Sequence, residues 1–513
     1  MQAFDGRRGW TRRDRDIDVR KWRVRRRERP DNGAMTLDHD ACYRALAAHD
    51  ARFDGRFFVG VRSTGIYCRP VCAVRSPRKE NCRFYPSAAA AEAAGYRPCL
   101  RCRPELAPGF AAVDASARIV QSAIGMIDDG FLEDRGIEDL AGRIGVTSRH
   151  LRRVFEAELG VAPVEYAQTQ RLLLAKRLLT DTALSVTDVA FASGFASVRR
   201  LNALFRTRYR MPPSRLRERR AETVPGTLAF ALAFRPPYAW EAMLQYLSER
   251  AIPGVEACDG RRFRRTLAIS HRGAAHAGWI EAWPAPRKAL FELRVSASLA
   301  RVVPQVLARV RHALDLGADP QAIAGTLGPL AETEPGLRIP GAFDGFELAV
   351  RAVVGQQVSV AASTTLLGRL ARRFGTPLPD APAGLERTFP GADVIGALTP
   401  DELGAIGLTP ARARTIVALA TAVTAGLDLS PTASARRTLD LLGAIPGVGP
   451  WTLQYVALRA LGLPDAFPHT DLGVMKALSE TQPARVLARA EAWRPWRGYA
   501  ALHLWRRLAR TSP

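Results

Sequence analysis

The sequence has little cysteine, less acidic than basic charge, and no long apolar run. No segment approaches the roughly eighteen uncharged apolar residues of a membrane-spanning helix, so we expect no membrane association. The start lacks the apolar stretch of a secretory signal and cysteine is sparse, which together predict a cytoplasmic protein. The excess of 74 Lys and Arg over 50 Asp and Glu gives a net charge of +24. This charge predicts a polyanionic partner, although a solvated basic surface is an equally common cause.

The 513 residues are too many for one hydrophobic core and predict several domains. Strand-like and helix-like patterns alternate along the chain in blocks. They predict a multidomain, mainly α protein with small α+β parts. The blocks are a disordered basic tail at 1–34, a small α/β module at 35–108, a helical domain at 115–219, an antiparallel-sheet α+β domain at 226–322 and an all-α domain at 323–513.

Four of the seven cysteines form two close pairs, Cys68 with Cys72 and Cys99 with Cys102. Each pair fits one tight turn, and two such turns can close a tetrahedral thiolate site, for which Zn²⁺ is the preferred metal. Three interpretations are open: a structural zinc knuckle, redox chemistry at the second pair, and a metal-activated thiolate nucleophile. No thioredoxin-like pattern surrounds the second pair, which disfavours redox chemistry.

The residues around these cysteines resemble the N-terminal domain of the Ada adaptive-response regulator. The similar segments are 65–72, 80–85 and 95–102. In that family the first cysteine accepts a methyl group from a methylphosphotriester in DNA, and the resemblance assigns this role to Cys68. Cys82 would be a packed thiol outside the metal site. The implied zinc ligands are Cys68, Cys72, Cys99 and Cys102.

The long helical stretch contains two helix-turn-helix patterns. In the first, Gly145 permits the turn and Ser148 is placed to cap the second helix. Residues 117–218 are similar to AraC-type DNA-binding domains. The resemblance implies that the second helix of each pattern enters the major groove, and a plain helix bundle with solvated arginines is the alternative. The candidate DNA-binding arginines are Arg149, Arg152, Arg153, Arg199, Arg200 and Arg206.

Residues 445–452 read Ile-Pro-Gly-Val-Gly-Pro-Trp-Thr. The glycines allow a hairpin between two helices, whose backbone N–H groups can grip one DNA phosphate without reading sequence. This hairpin and the downstream Asp471 resemble the helix-hairpin-helix DNA glycosylase superfamily. Residues 226–506 are similar to its alkylpurine branch, AlkA. The predicted phosphate-binding residues are Pro446, Gly447, Val448 and Gly449.

The resemblance implies a base-excision site. A damaged purine must leave the base stack to be reached, and an electron-rich aromatic pocket favours a cationic, alkylated base. Asp471 would stabilise the oxocarbenium-like sugar, or activate water, as the glycosidic bond breaks. For Tyr246, packing in the core is an equal alternative. The implied pocket residues are Trp451, Tyr455, Trp505 and Tyr246.

Four positions refine this prediction. Trp451 stands where strand-cleaving relatives carry a Schiff-base lysine, so we expect base removal without strand cleavage. Only Cys258 lies in the C-terminal half, so no iron–sulfur cluster is expected. Gln357 stands where AlkA-type enzymes carry a DNA-wedging leucine, and Leu472 where they carry a tyrosine. Both residues are expected to alter base preference or extrusion.

The combined prediction is a DNA alkylation-repair protein that is also a transcriptional activator. It would be a DNA-3-methyladenine glycosylase and a stoichiometric methyltransferase with Zn²⁺ as cofactor. Its partners would be alkylated and promoter DNA and RNA polymerase. No Pro-Cys-His-Arg-type motif occurs, so O⁶-methylguanine transfer is not expected. The alternatives are a regulator whose glycosylase-like half only binds DNA, and a repair enzyme whose sensor half only delivers it to DNA.

Overall fold

The computed structural model describes residues 37–108, 115–133, 135–182, 184–217, 226–285 and 288–511. The predicted basic tail lies outside these residues. The described part is mainly helical and holds two separate sheets, which confirms the predicted fold class. Within these ranges, no helix has both the length and the apolar character needed to cross a lipid bilayer.

The first unit, the cysteine module, is a small sheet with two helices. Its elements are α1 (His39–Ala47), β1 (Phe58–Val61), β2 (Ile66–Cys68), β3 (Cys82–Tyr85), α2 (Ala88–Ala93) and β4 (Arg97–Pro98). The strand order is β3-β1-β2-β4, and only β2 and β4 run parallel. Gly65, with a φ of +64°, lies in the turn between β1 and β2. Ser87 begins α2 by accepting the N–H of Ala90 at 3.0 Å.

The second unit, the reader domain, consists of seven helices. They are α3 (Ala115–Asp128), α4 (Ile137–Ile144), α5 (Ser148–Leu159), α6 (Pro163–Asp181), α7 (Val186–Ala192), α8 (Val198–Tyr209) and α9 (Ser214–Arg217). Gly145 turns the chain between α4 and α5 with a φ of +86°. The cap of α5 differs from the prediction, because the Thr147 hydroxyl accepts the N–H of His150 at 3.2 Å. Ser148 is already in the helix and cannot cap it.

The third unit is a five-stranded antiparallel sheet with the order β5-β9-β8-β7-β6. Its elements are β5 (Thr227–Ala233), α10 (Trp240–Glu249), β6 (Glu256–Asp259), β7 (Arg262–His271), β8 (Ala274–Pro284), β9 (Leu290–Ser296) and the following α11 (Val303–Ala313). Helix α10 connects one edge strand to the other. It carries Tyr246 towards the last domain, where the tyrosine meets Tyr455.

The last unit is helical, as predicted. Its helices are α12 (Pro320–Leu327), α13 (Pro329–Glu332), α14 (Gly345–Val354), α15 (Val360–Phe374), α16 (Ala392–Gly396), α17 (Pro400–Gly404), α18 (Pro410–Thr424), α19 (Ala435–Gly443), α20 (Pro450–Arg459), α21 (Leu472–Ala477), α22 (Pro483–Ala490) and α23 (Arg497–Thr511). The predicted hairpin joins α19 to α20. Asp471 lies directly before α21 and caps it.

The reader domain and the five-stranded sheet share one hydrophobic core. Phe205 on α8 belongs to the same buried cluster as Phe230 on β5 and Phe291 on β9. Arg177 on α6 donates to the carbonyl of Ala231 on edge strand β5 and lies 4.8 Å from the ring centre of Phe230. The edge strand is therefore covered rather than left open to pairing. The two halves of the chain pack as one body.

A buried carboxylate joins the cysteine module to the reader domain. Glu92 on α2 is 3% exposed. It accepts hydrogen bonds from the hydroxyls of Tyr67 at 3.1 Å, Thr169 at 3.3 Å and Tyr209 at 3.4 Å. Burial raises the pKa of Glu92 to about 7, although these hydroxyls and the nearby Arg208 oppose the shift.

Four charged side chains join the five-stranded sheet to the last domain. Arg265 on β7 bonds to Glu256 at 3.0 Å and to Glu347 on α14 at 2.7 Å. Arg351, one turn further along α14, bonds to the same two carboxylates at 2.7 Å each. Each of the four charges thus has two partners of opposite sign, which makes the burial of Arg265, Glu256 and Glu347 tolerable. The network fixes α14 against the sheet.

Candidate functional site

The four paired cysteines come together at one end of the first sheet. Their sulfur atoms all lie within 4.8 Å of one another. Cys68 ends β2, and Cys99 directly follows β4, the parallel neighbour of β2. Four thiols with no carboxylate or imidazole among them match the donor set of a closed tetrahedral zinc site. The residues present therefore fit Zn²⁺.

Backbone amides and a buried ion pair surround the cysteine cluster. The N–H of Arg69 points at the sulfur of Cys102, and that of Arg101 at the sulfur of Cys99, each at 3.3 Å. Such donors stabilise the negative charge of thiolate ligands. The Arg69 guanidinium is buried and pairs with Asp54. The cluster is thus built to hold negative charge.

The remaining cysteines lie outside this cluster. Cys82 is buried on β3 with its sulfur 3.4 Å from the carbonyl of Arg78. Cys42 is buried on α1, and burial raises the pKa of its thiol to about 11. Burial likewise raises the pKa of Cys258 to about 11. In the part of the chain that the structure describes, no second group of metal-ligating side chains occurs.

The six predicted DNA-binding arginines are all exposed, three on α5 and three on α8. On α5, Arg152 pairs with Glu138 at 3.3 Å and Arg153 bonds to the ring of His150 at 3.1 Å. The buried faces of the two helices carry Phe155 and Phe205, which anchor them in the domain. The arrangement leaves both basic faces open to a duplex.

A cleft of about 530 Å³ separates the cysteine module from the end of α8. Three arginines that were not predicted from the sequence line it: Arg97 on β4, Arg210 at the end of α8 and Arg215 on α9. None of them pairs with a carboxylate among the described residues, so their charge is available to a phosphate. The three arginines come together because two domains pack against each other, so no local sequence motif indicates the cleft.

The predicted hairpin between α19 and α20 is present, and Thr415 on α18 supports it. Gly447 has a φ of +90°, which a residue with a side chain rarely adopts. A Cβ there would lie 2.2 Å from the hydroxyl oxygen of Thr415, which donates to the carbonyl of Pro446 at 2.9 Å. Pro446 and Gly447 are exposed, while Val448 and Gly449 are partly so. The tip therefore faces outwards, as a phosphate-binding hairpin requires.

A second loop, after α14, is fastened to this hairpin. The Gln356 side chain donates to the carbonyl of Gly447 and to the hydroxyl of Thr452, each at 3.1 Å. Arg412 donates to the carbonyl of Gln356. Gln357, the next residue, is exposed and has a φ of +54°. The hairpin and the loop that carries Gln357 thus present one continuous surface, and the sequence did not reveal the role of Gln356 in joining them.

Asp471 is held by three N–H donors. The indole Nε1 of Trp451 lies 2.7 Å from one carboxylate oxygen, and the indole Nε1 of Trp505 lies 2.8 Å from the other. The backbone N–H of Val474 bonds to that second oxygen at 2.9 Å. These donors are neutral, and no Lys or Arg pairs with Asp471 among the described residues. The full negative charge is therefore available to a cation.

The four predicted pocket aromatics converge beside Asp471. The rings of Trp451 and Tyr455 stack with centres 4.9 Å apart and an angle of 17° between their planes. The hydroxyls of Tyr455 and Tyr246 lie 3.1 Å apart. All four side chains are partly exposed. Tyr246 also packs partly against the core of its own domain. Its surroundings therefore agree in part with a place in the base pocket and in part with packing in the core.

Three residues near the pocket differ in their surroundings. Asp465 pairs with Arg497 at 2.8 Å and with Arg494, which makes it a carboxylate of a surface loop. Leu472 follows Asp471 and is 72% exposed. Arg459, which no motif singled out, donates to the hydroxyl of Tyr455 from one helical turn away. Its distance of four residues from Tyr455 on a helix is the one signal that could have found it.

Family models match all four units. They are the metal binding domain of Ada at residues 41–105, a helix-turn-helix domain at 140–219, the AlkA N-terminal domain at 229–344 and the HhH-GPD superfamily base excision DNA repair protein at 350–496. The resemblances found in the sequence are thereby confirmed.

Three relatives cover different parts of the chain. The DNA-3-methyladenine glycosylase 2 of Escherichia coli is 35% identical over 54% of this chain and 96% of its own length. The bifunctional transcriptional activator/DNA repair enzyme AdaA of Bacillus subtilis is 34% identical over 35% of this chain and 82% of its own length. The probable bifunctional transcriptional activator/DNA repair enzyme AlkA of Mycobacterium tuberculosis is 39% identical over 92% of this chain and 97% of its own length. Because this last match spans both chains almost completely, the protein belongs to the family of bifunctional transcriptional activator and DNA repair enzymes that join an Ada-type metal-binding domain to an AlkA-type glycosylase.

Proposed function

We propose that this protein excises alkylated purines such as 3-methyladenine from DNA, accepts methyl groups from DNA methylphosphotriesters on Cys68, and activates transcription. The observation that supports excision most directly is the Asp471 carboxylate, which two indole N–H groups and a backbone N–H hold beside stacked aromatic rings. A carboxylate so placed has a fixed position and an uncompensated charge.

The glycosidic bond would break with Asp471 stabilising the positive charge that develops on the sugar. At about 4 Å and an effective dielectric constant near 20, this attraction is worth about 4 kcal/mol. The purine leaves with the bonding electrons, which its alkylation makes easy, and water completes the hydrolysis. Trp451 fills the position directly after the hairpin, where a Schiff-base lysine would be needed for strand cleavage. The reaction therefore ends at the abasic site.

Methyl transfer would take place at the cysteine cluster. Bound Zn²⁺ keeps its thiol ligands deprotonated at neutral pH. The Cys68 sulfur attacks the methyl carbon, the bond from that carbon to the phosphotriester oxygen breaks, and the phosphate leaves as an ordinary diester anion. The thioether that results has no route back to a thiolate, so each chain accepts one methyl group.

Methylation of Cys68 would also strengthen DNA binding. Four thiolates on one divalent ion carry two negative charges, and a thioether in place of one thiolate leaves a single negative charge. Removing a repulsive charge beside a phosphate is worth roughly 1–4 kcal/mol, which is roughly fivefold to several hundredfold in affinity. The basic faces of α5 and α8 and the arginine cleft supply the phosphate contacts. An activator bound in this way acts on RNA polymerase in the cytoplasm.

The excision proposal is tested with methylated DNA and the release of free 3-methyladenine. Asp471→Asn keeps the shape of the side chain and removes its charge, so single-turnover excision should fall at least a hundredfold, or about 3 kcal/mol. Asp465→Asn is the matched control because its carboxylate pairs with arginines of a surface loop. Undiminished excision by Asp471→Asn would overturn the catalytic assignment of Asp471, whereas no excision by the unaltered protein would favour a purely regulatory protein.

The methyl-transfer proposal is tested in the same incubation by mass spectrometry of the cysteine peptides. The methyl group should appear on Cys68 and be absent from Cys68→Ala. Cys82→Ala, which alters a buried thiol outside the cluster, should still accept it. A methyl group that persists in Cys68→Ala would move the acceptor to another cysteine.

A further inference from the structure

Two of the four pocket aromatics carry hydroxyl groups, and those hydroxyls meet. Tyr246 comes from α10 of the sheet domain and Tyr455 from α20 of the last domain, and their oxygens lie 3.1 Å apart. Both residues are partly exposed. Ring stacking needs no hydroxyl, and phenylalanine would serve it equally well. The two oxygens therefore call for an explanation of their own.

Arg459 fixes one of these oxygens. It donates to the hydroxyl oxygen of Tyr455, and its guanidinium lies 4.9 Å and 5.0 Å from the ring centres of Tyr246 and Tyr455. Its Nε donates to the carbonyl of Pro340, and its own carbonyl accepts the N–H of Ala342 at 2.8 Å. Arg459 is 8% exposed. An arginine held at both ends in this way cannot swing away from the phenol.

Counting protons shows what the pair has to offer. An arginine can only donate, so Arg459 occupies an acceptor site on Tyr455 and brings its own proton. The two phenols have one proton each, and the bond between them uses one of these. One O–H donor is left over, whichever phenol gives its proton to the other. Burial raises the pKa of Tyr246 to about 12, which keeps its proton in place at neutral pH, whereas the charge of Arg459 and the bond from Tyr246 lower the pKa of Tyr455 against the effect of its burial.

The pair belongs to the same group of residues as Asp471, and Trp451 connects the two. Its indole nitrogen bonds to the carboxylate, while the face of its ring stacks on Tyr455. A nucleotide extruded with its sugar at Asp471 therefore brings its base towards the side of the pocket that carries the phenols.

We propose that the Tyr246–Tyr455 pair, positioned by Arg459, is a specificity-determining element that donates one hydrogen bond to a ring-nitrogen or carbonyl acceptor on the edge of the extruded purine. This inference rests on the proposed excision function and deepens it. A cationic base is already drawn to the aromatic faces. A neutral damaged purine lacks that attraction, so it depends more on the hydrogen bond.

The test removes the two partners of this bond separately and together. Duplexes carry hypoxanthine, a neutral deaminated purine, or its 3-deaza or 7-deaza analogue, each lacking one ring-nitrogen acceptor. Single-turnover excision rates are measured for the unaltered protein and for Tyr246→Phe/Tyr455→Phe. Each deaza analogue also changes the leaving base chemically, but equally for both proteins. Their ratio therefore isolates the contact.

For one analogue we expect the excision rate of the unaltered protein to fall by a factor about five- to tenfold larger than that of the double variant. This factor corresponds to the free energy of one neutral hydrogen bond. Arg459→Met should show part of the same loss. The double variant should also reduce excision of hypoxanthine more than that of 3-methyladenine. Tyr238→Phe is the matched control, because its hydroxyl bonds to the carbonyl of Leu314 at 2.7 Å, away from the pocket.

Equal losses for both proteins with both analogues, together with an equal effect on both lesions, would overturn the proposal. So would a failure of the unaltered protein to excise hypoxanthine while it releases 3-methyladenine. Neither result touches the proposed function, which instead fails if no purine is released or if Asp471→Asn releases it at the normal rate. Melting temperatures of all variants separate a lost contact from a lost fold.

Discussion

The cysteine cluster and the Asp471 pocket solve the same problem, the placement of a reactive negative charge, in different ways. The cluster takes all its ligands from one short stretch between Cys68 and Cys102, and its sulfurs converge within 4.8 Å. The pocket draws on two domains, and its carboxylate is steadied by indole N–H groups rather than by a metal. A metal ion orders the side chains of the first site, whereas contacts between residues distant in the sequence order those of the second.

The largest effect expected from this difference is on removing zinc. Structural zinc sites contribute on the order of 10 kcal/mol to the folding of small domains. A strong chelator, or Cys72→Ala, should therefore unfold residues 37–108 and abolish methyl transfer. Excision at Asp471 should persist, because the described pocket uses no metal ligand.

The measurement combines hydrogen exchange of the cysteine module with the release of 3-methyladenine in the same sample. Cys42→Ala is the control, since Cys42 is buried on α1 and outside the cluster. Loss of excision in step with the unfolding of the module would break the comparison. It would mean that the shared core of the reader domain and the sheet transmits the damage to the pocket.

The same contrast explains what the sequence could predict. Cys68, Cys72, Cys99 and Cys102 could be read as ligands because their spacing alone brings them together. The hairpin was equally readable, since Gly447 must adopt a conformation that other residues avoid. Local chemistry decides both features.

The features that the sequence did not reveal depend on contacts between distant residues. Arg97 and Arg215 line one cleft only because the cysteine module packs against the reader domain. The bond from Arg459 to Tyr455 is close in sequence, yet its purpose depends on Tyr246 from another domain. The cap of α5 was misplaced by one residue because Thr147 and Ser148 have the same capping chemistry, and only the backbone angles distinguish them.

The second-largest effect is expected in the pH dependence of stability. It arises from Glu92, which lies where the cysteine module contacts the reader domain. The pKa of Glu92 is about 7 in the folded protein and ordinarily 4.5. Between these two pH values the folded protein therefore keeps the Glu92 proton, whereas the unfolded chain has lost it. Stability is therefore full below about pH 4.5 and declines as the pH rises to about 7, by about 3 kcal/mol in total. Glu92→Gln should remove this decline.

Thermal unfolding from pH 4.5 to pH 7.5 of both proteins measures the difference. Glu80→Gln, which changes an exposed glutamate of the same module, should follow the unaltered protein. Parallel curves for Glu92→Gln and the unaltered protein would mean that Glu92 is charged and compensated in the fold, and would make this contact resemble the charged networks of the C-terminal half.

A smaller effect is expected at the hairpin. Gly447→Ala places a Cβ 2.2 Å from the Thr415 hydroxyl oxygen at a φ of +90°, so the hairpin must shift, at about 2 kcal/mol. Affinity for undamaged duplex, measured by fluorescence anisotropy, should fall about tenfold or more. Gly404→Ala is the control, because Gly404 ends α17, outside the hairpin, and a Cβ there meets open space. Equal affinities for the two variants would remove the hairpin from the DNA-binding surface.

The smallest effect expected is the most specific to the pocket. Trp451→Phe keeps an aromatic ring against Tyr455 and deletes one of the three N–H donors to Asp471. Losing one such bond should cost about 1.5 kcal/mol, seen as a roughly tenfold lower kcat with a smaller change in KM. Trp493→Phe is the control, because Trp493 packs against Phe467. If the indoles act through the carboxylate, Trp451→Phe should cost nothing further once Asp471→Asn is present. Additive losses would show that Trp451 acts on the base directly. Only Trp505 and the N-terminus of α21 would then hold the Asp471 carboxylate in the way that a metal ion holds the thiolates of the cysteine cluster.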